Sequence, residues 1–267
     1  MDNRPIGIFD SGLGGLTALT AFRELMPEED IIYFADTGRV PYGSRPAGQL
    51  RVMAEQDLGF LAGKGVKAII AACGTVSSIA PDLLESYHLP TVGVVRAGSE
   101  ELSKHGGDGP LGVIATVASI NSGAYQRTLS ALCPGRQVIA VPCPEFVPLI
   151  ESGHTGADDA LVQAAVARQL RPIKEGGATA LLLGCTHFGI IGQAITDYLG
   201  AHVELVSASA SAAERLRALL TERDMTGGSG RETYYTSGSG EEFSRLAGAL
   251  LGRKDPVRAE EVPVMEA

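Results

Sequence analysis

The sequence predicts an α/β protein of two pseudo-symmetric three-layer lobes, with mostly parallel sheets and a cleft between the lobes. Three observations carry this reading. Short apolar runs of strand length alternate with helical patterns through residues 6–206, the order that gives parallel strands joined by right-handed crossovers. The order runs twice: 8–95 and 113–206 both read strand, helix, strand, long helix, strand ending in Cys, helix, strand. Landmarks keep their spacing, with 112 residues from Cys73 to Cys185 and 106 from Asp10 to Thr116.

Each element has its own signal. Ile6-Gly7-Ile8-Phe9 is a strand that ends in Asp10-Ser11-Gly12-Leu13-Gly14-Gly15-Leu16-Thr17, with a helix over 16–26. Gly12-x-Gly14 begins a dinucleotide fingerprint, but Thr17 stands where the third Gly belongs. The glycines either admit a small anion at a helix N-terminus or serve only the turn. A second strand over 31–35 leads into a polar loop rich in Pro and Gly, then a helix over 47–64. Residues 66–72 form a strand ending in Cys73-Gly74-Thr75. A helix over 81–87 and a strand over 91–95 follow. His105-Gly106-Gly107-Asp108-Gly109-Pro110 reads as a surface linker.

The second half repeats the pattern. Residues 111–115 form a strand before Thr116, with a helix over 122–132 and a strand over 137–141. Residues 146–151 are helical, and a long helix covers 157–174. The run 178–183 lacks alternation, as in a strand buried on both faces. It stops at Gly184 before Cys185-Thr186-His187, and 201–206 is the last strand of the unit. Helix 210–222, strand 232–236 and helix 241–251 return to the first lobe. The expected domains are therefore 1–96 plus 207–252, then 97–206, with an irregular tail over 253–267.

Composition narrows the function classes. At 267 residues the chain can bury a substantial core. No apolar run reaches the roughly 18 residues of a membrane span. Met1-Asp2-Asn3-Arg4-Pro5 enters the first strand with no apolar signal region, which predicts a cytoplasmic protein. A net charge of −9 with no basic stripe argues against nucleic acid as a partner. The four cysteines (Cys73, Cys133, Cys143 and Cys185) form no C-x-x-C pair, so neither a zinc ribbon nor a dithiol redox site is indicated. None of the five lysines (Lys64, Lys67, Lys104, Lys174, Lys254) lies at such a strand end. No aldimine site is evident, and no cofactor or metal is expected.

Two facing lobes would set the thiols of Cys73 and Cys185 on opposite sides of one cleft, at strand ends where open α/β sheets bind ligands. A lone thiol suggests a nucleophile. A matched pair suggests that one thiolate removes a proton from a tetrahedral carbon while the other thiol returns one to the opposite face. A free thiol titrates at about 8.5, and a following helix N-terminus favours its thiolate. Asp10 and His187 are the neighbouring groups able to carry protons. Each also has a structural alternative, Asp10 as a cap and His187 as a cap or packing residue. Thr75, Thr116 and Thr186 are potential caps, and Cys133 and Cys143 read as buried structural thiols.

These residues resemble the glutamate racemase family, within the aspartate/glutamate racemase superfamily. The resemblance rests on residues 7–16, Asp36-Thr37 with Pro41-Tyr42-Gly43, Cys73-Gly74-Thr75, Cys143-Pro144 through Glu151, and 183–187. It implies cofactor-independent interconversion of L- and D-glutamate, supplying D-glutamate for peptidoglycan, by an enzyme that is often a homodimer. It implies Cys73 and Cys185 as the acid/base thiols, assisted by Asp10 and His187. It further implies a substrate pocket lined by Asp10, Ser11, Tyr42, Gly43, Gly74, Thr75, Thr116, Thr186 and His187, with Glu151 near His187. The chain departs from the family pattern in three places. Gly74 replaces the usual Asn, Phe188-Gly189 replaces Tyr-Pro, and Ser207-Ala208 replaces Asp-Ser. Two other readings are a racemase of another substrate, such as aspartate or a hydantoin, and a non-catalytic binding protein on the same lobes.

Overall fold

The computed structural model describes residues 1–253 and 255–263. The first part of the chain runs β1 (Ile6–Asp10), α1 (Leu16–Leu25), β2 (Ile31–Ala35), α2 (Ala47–Gly63), β3 (Ala68–Ala71), α3 (Gly74–Ile79), α4 (Pro81–Ser86), β4 (Thr91–Gly93) and α5 (Val94–Leu102). The second runs β5 (Leu111–Ala115), α6 (Val117–Asn121), α7 (Ala124–Leu132), β6 (Val138–Pro142), α8 (Phe146–Glu151), α9 (Ala160–Gln169), α10 (Arg171–Glu175), β7 (Ala180–Leu183), α11 (Gly192–Leu199) and β8 (Glu204–Ser207). Then come α12 (Ala208–Glu222), β9 (Glu232–Thr236), α13 (Gly240–Leu250) and β10 (Ala259–Glu261).

Among the described residues, the strands form two sheets, ordered β10-β9-β2-β1-β3-β4 and β6-β5-β7-β8. Every pairing is parallel. The orders β2-β1-β3-β4 and β6-β5-β7-β8 are the same, so the repeat in the sequence has a counterpart in topology. The central strands β1, β3, β5 and β7 are buried along their whole length. This is the burial that a continuous apolar run requires.

Alternation along these strands divides the core. Ile8, Val113 and Leu182 point into a cluster shared by both sheets, filled by Leu19 of α1, Ala97 of α5, Tyr125 of α7 and Leu216 of α12. Phe9 faces an outer cluster of the first sheet. Ile114 and Leu181 face that of the second. The period of two in a strand thus sends neighbouring residues to different layers. The two sheets are joined by one apolar layer as well as by the chain.

Several local expectations change. The strand expected over 91–95 ends at Gly93, because Val94, Val95, Ala97, Gly98 and Leu102 are buried on one helical face of α5. The long helix over 157–174 is two helices. Asp159 caps α9, and Pro172 lies in the first turn of α10, where its missing N–H costs nothing. Gly123, at φ +70°, separates α6 from α7. The tail, expected to be irregular, contributes β10 as a short edge strand beside β9. Lys254 and residues 264–267 of that tail lie outside the described residues. Among the described residues, no helix is long and apolar enough to cross a membrane.

Candidate active site

The carboxyl ends of β1, β3, β5, β6 and β7 open onto a cavity of about 450 Å³ between the sheets. All twelve residues singled out in the sequence line it: Asp10, Ser11, Tyr42, Gly43, Cys73, Gly74, Thr75, Thr116, Glu151, Cys185, Thr186 and His187. The first sheet brings Cys73 and the second brings Cys185. Cys143 is buried, as expected, and also lines this cavity, whereas Cys133, expected to be buried too, is half-buried. Cys133 does not line the cavity, and its Sγ lies 3.7 Å from the Ser103 carbonyl.

On the first side, Asp10 ends β1 and its Oδ2 accepts the backbone N–H groups of Gly12 and Gly15, both at 3.1 Å. The anion cradled by the glycine loop is therefore the chain's own carboxylate. A Cβ at Gly15 would lie 2.5 Å from Asp10 Cβ, so only glycine allows this wrap. Asp10 is not the N-cap of α1, a position held by Gly15. Burial raises the Asp10 pKa, opposed by His187 and by the N–H groups of Gly12, Gly15 and Ser11. Cys73 is the N-cap residue of α3, and its Sγ lies 3.5 Å from Ser11 Oγ. Burial, reinforced by the Asp10 charge, pushes its thiol up to about 12.

On the second side, Cys185 is half-buried and its Sγ lies 3.9 Å from His187 Nδ1. The other ring nitrogen, Nε2, lies 3.3 Å from Glu151 Oε1 at the end of α8. Burial works against the charged imidazole, but Cys185, Glu151 and Asp10 outweigh it and raise the His187 pKa to about 10. His187 is thus held as a cation beside a thiol. The helix N-terminus expected after Cys185 is absent. A 3₁₀ turn, Phe188–Ile191, comes first, and α11 begins only at Gly192. The imidazolium supplies the positive field that a helix end supplies elsewhere.

The halves of the site touch through contacts that the sequence could not show. A Cβ at Gly14 would lie 2.3 Å from Thr186 Oγ1 and 2.5 Å from His187 Nδ1. The first-lobe glycine loop therefore packs directly on Thr186 and His187. Thr17 Oγ1 lies 3.3 Å from the Thr186 carbonyl and 2.9 Å from Ser209 Oγ. Thr75 and Thr116 hydroxyls meet at 3.3 Å, and Thr116 also caps α6.

Tyr42 lines the cavity, but its hydroxyl is committed elsewhere. It sits between two carboxylates, 3.0 Å from Asp57 and within hydrogen-bond reach of Asp36, and its one proton is shared between them. Arg39 bridges the same two carboxylates at 2.6 and 2.7 Å. This buried cluster anchors the loop of Pro41 and Gly43 under the cavity. The Asp36-Thr37 and Pro41-Tyr42-Gly43 motifs marked the loop, whereas Asp57, on α2, carried no signal in the sequence. Among the described residues, no group of three or more His, Cys, Asp or Glu is placed to hold a metal ion.

This arrangement offers a thiol beside a carboxylate on one lobe and a thiol beside an imidazolium on the other. Such a site can remove a proton at one face of a small molecule and supply one at the other. Residues 21–216 match the sequence model of the Asp/Glu/Hydantoin racemase family. The glutamate racemase of Desulforudis audaxviator is 36% identical over 263 residues, covering 94% of this chain and 96% of that protein. A crystal structure of a Bacillus anthracis glutamate racemase isoform superposes with a TM-score of 0.92 at 29% identity, over 99% of this chain and 100% of that one. The Francisella tularensis glutamate racemase, solved in complex with D-glutamate, gives 0.88 at 33% identity, over 100% and 98%. The chain belongs to the Asp/Glu/Hydantoin racemase family.

Proposed function

We propose that this protein interconverts L- and D-glutamate without a cofactor, by moving the α-proton between Cys73 and Cys185. The observation behind this reading is the pair of strand-end thiols, one from each sheet, lining a single cavity. One sulfur, as thiolate, takes the α-proton. The carbanion accepts a proton from the other thiol on the opposite face, which inverts the centre. The two sulfurs exchange protonation states, and the reverse reaction restores them. Asp10 passes protons on the Cys73 side and His187 on the Cys185 side. Ser11, Gly43, Gly74, Thr75, Thr116 and Thr186 bind the substrate's polar groups together with Asp10 and His187. Tyr42 lines the same cavity, and Glu151 holds His187. The names of the relatives favour glutamate as substrate.

The resemblance further supports a cytoplasmic homodimer that supplies D-glutamate for peptidoglycan. Sedimentation analysis checks the dimer. Either enantiomer of glutamate, incubated in deuterated water, should exchange its α-hydrogen and lose optical activity. Folded protein that does neither would refute the reading. Much faster turnover of aspartate would reassign the substrate. Cys73→Ser and Cys185→Ser should each slow racemisation about 10³-fold, whereas a binding protein would be indifferent to both.

A further inference from the structure

We propose that the contact between Gly74 and the Gly184 carbonyl is the spacer that sets the gap between the two thiols. The proposal deepens the racemase reading and rests on it for the role of those thiols. Gly74 directly follows Cys73, and Gly184 directly precedes Cys185. A Cβ on Gly74 would lie 2.6 Å from the Gly184 oxygen, against about 3.5 Å for an ordinary contact. The obstacle is backbone and cannot rotate away. Gly74 has no positive φ, so the glycine is present for room and not for conformation.

Both partners are tied down by hydrogen bonds. The Gly184 carbonyl accepts the Tyr125 hydroxyl at 2.9 Å, and its N–H donates to Ile114 at 2.7 Å. A Cβ on Gly184 would itself lie 2.7 Å from that hydroxyl. On the other side, the Gly74 carbonyl accepts Ser78 Oγ at 2.6 Å, within α3. A side chain at position 74 therefore pushes the thiol-bearing segments apart by about 1 Å.

The family's usual Asn at this position allows an opposite account, in which this chain merely lacks a substrate-binding amide. Gly74→Ala and Gly74→Asn separate the two. The spacer requires that both lower kcat for glutamate, about a hundredfold for a 1 Å displacement, with KM nearly kept. A wild-type kcat in Gly74→Ala, or a lower KM with kcat retained in Gly74→Asn, overturns the proposal. Crystal structures of the wild type and Gly74→Ala read the sulfur–sulfur distance directly. It should lengthen by about 1 Å, and an unchanged distance overturns the proposal. This readout does not use activity. A wild type inactive on glutamate would therefore sink the racemase reading and leave the spacer to be decided by the distances. If Gly74→Ala does not fold, Tyr125→Phe serves, since it keeps Gly74 and frees the Gly184 carbonyl. It should lower kcat at least severalfold with KM kept, and wild-type kinetics would count against the spacer.

Discussion

His187 Nε2 lies 3.3 Å from Glu151 Oε1, while Nδ1 of the same ring faces Cys185 Sγ at 3.9 Å. The imidazole is nearly buried, but the Glu151 side chain is 58% exposed. The carboxylate thus links the thiol–imidazole pair to solvent.

Glu151→Gln removes one of the charges that hold His187 protonated. The basic limb of the pH profile of kcat/KM should move to lower pH. Because Glu151 is largely solvated, the loss in kcat at neutral pH should be modest, about tenfold or less. An unmoved basic limb would mean that His187 is charged for another reason.

The thiols should differ in reactivity. Cys73 is buried and its thiol is pushed up to about 12 by burial and Asp10, so the free enzyme holds it as the unreactive thiol. Cys185 is more exposed and lies beside the His187 cation. Iodoacetamide at neutral pH should therefore alkylate Cys185 well before Cys73, as read by peptide mass spectrometry. Earlier labelling of Cys73 would reverse the assignment.

The parts legible in the sequence were those built by local pattern. Apolar runs marked β1, β3, β5 and β7, and the residues just after them gave Asp10, Cys73, Thr116 and Cys185. Other features depend on contacts between distant segments. Thr17 meets Thr186 across 169 residues, and no periodicity reports that. Asp57 is a lone acid on a helix until the fold buries it against Arg39. Strand β10 is polar at two of its three positions and survives only as an edge. The opening glycines were legible as a turn, but their reason was not. They make room for Asp10 and His187, which lie in different lobes.

That reason can be tested. Gly14→Ala places a methyl where His187 Nδ1 and Thr186 Oγ1 now sit. Gly12→Ala meets no atom within 4 Å. Gly14→Ala should cost about a hundredfold in kcat, and Gly12→Ala far less. Equal losses would show that the loop tolerates no side chain for some reason other than the His187 contact.

Arg39 is buried between Asp36 and Asp57. Arg39→Ala would leave both carboxylates without that cation. Burial and the neighbouring Asp36 already raise the Asp57 pKa. Breaking one side of a buried pair costs about 3–5 kcal/mol, which urea unfolding can measure. A loss below about 1 kcal/mol, typical of an exposed pair, would show that the cluster is solvated.

His187 also links stability to pH. Its folded pKa, about 10, lies above the ordinary imidazole value of 6.5 because Cys185, Glu151 and Asp10 outweigh burial. A raised pKa means that the folded state binds the proton more tightly than the unfolded chain does. The associated stability is fully present below pH 6.5 and fades as pH rises toward 10. The stability advantage of the wild type over His187→Asn should therefore shrink across that window. Unfolding midpoints for both proteins at pH 6, 8 and 9.5 test this, because groups common to both cancel in the difference. A constant difference would mean that the imidazole binds its proton no more tightly in the folded protein than in the unfolded chain, and so is largely neutral above about pH 7. His187 could then not be the cation beside Cys185, and the thiol would need another source of positive field.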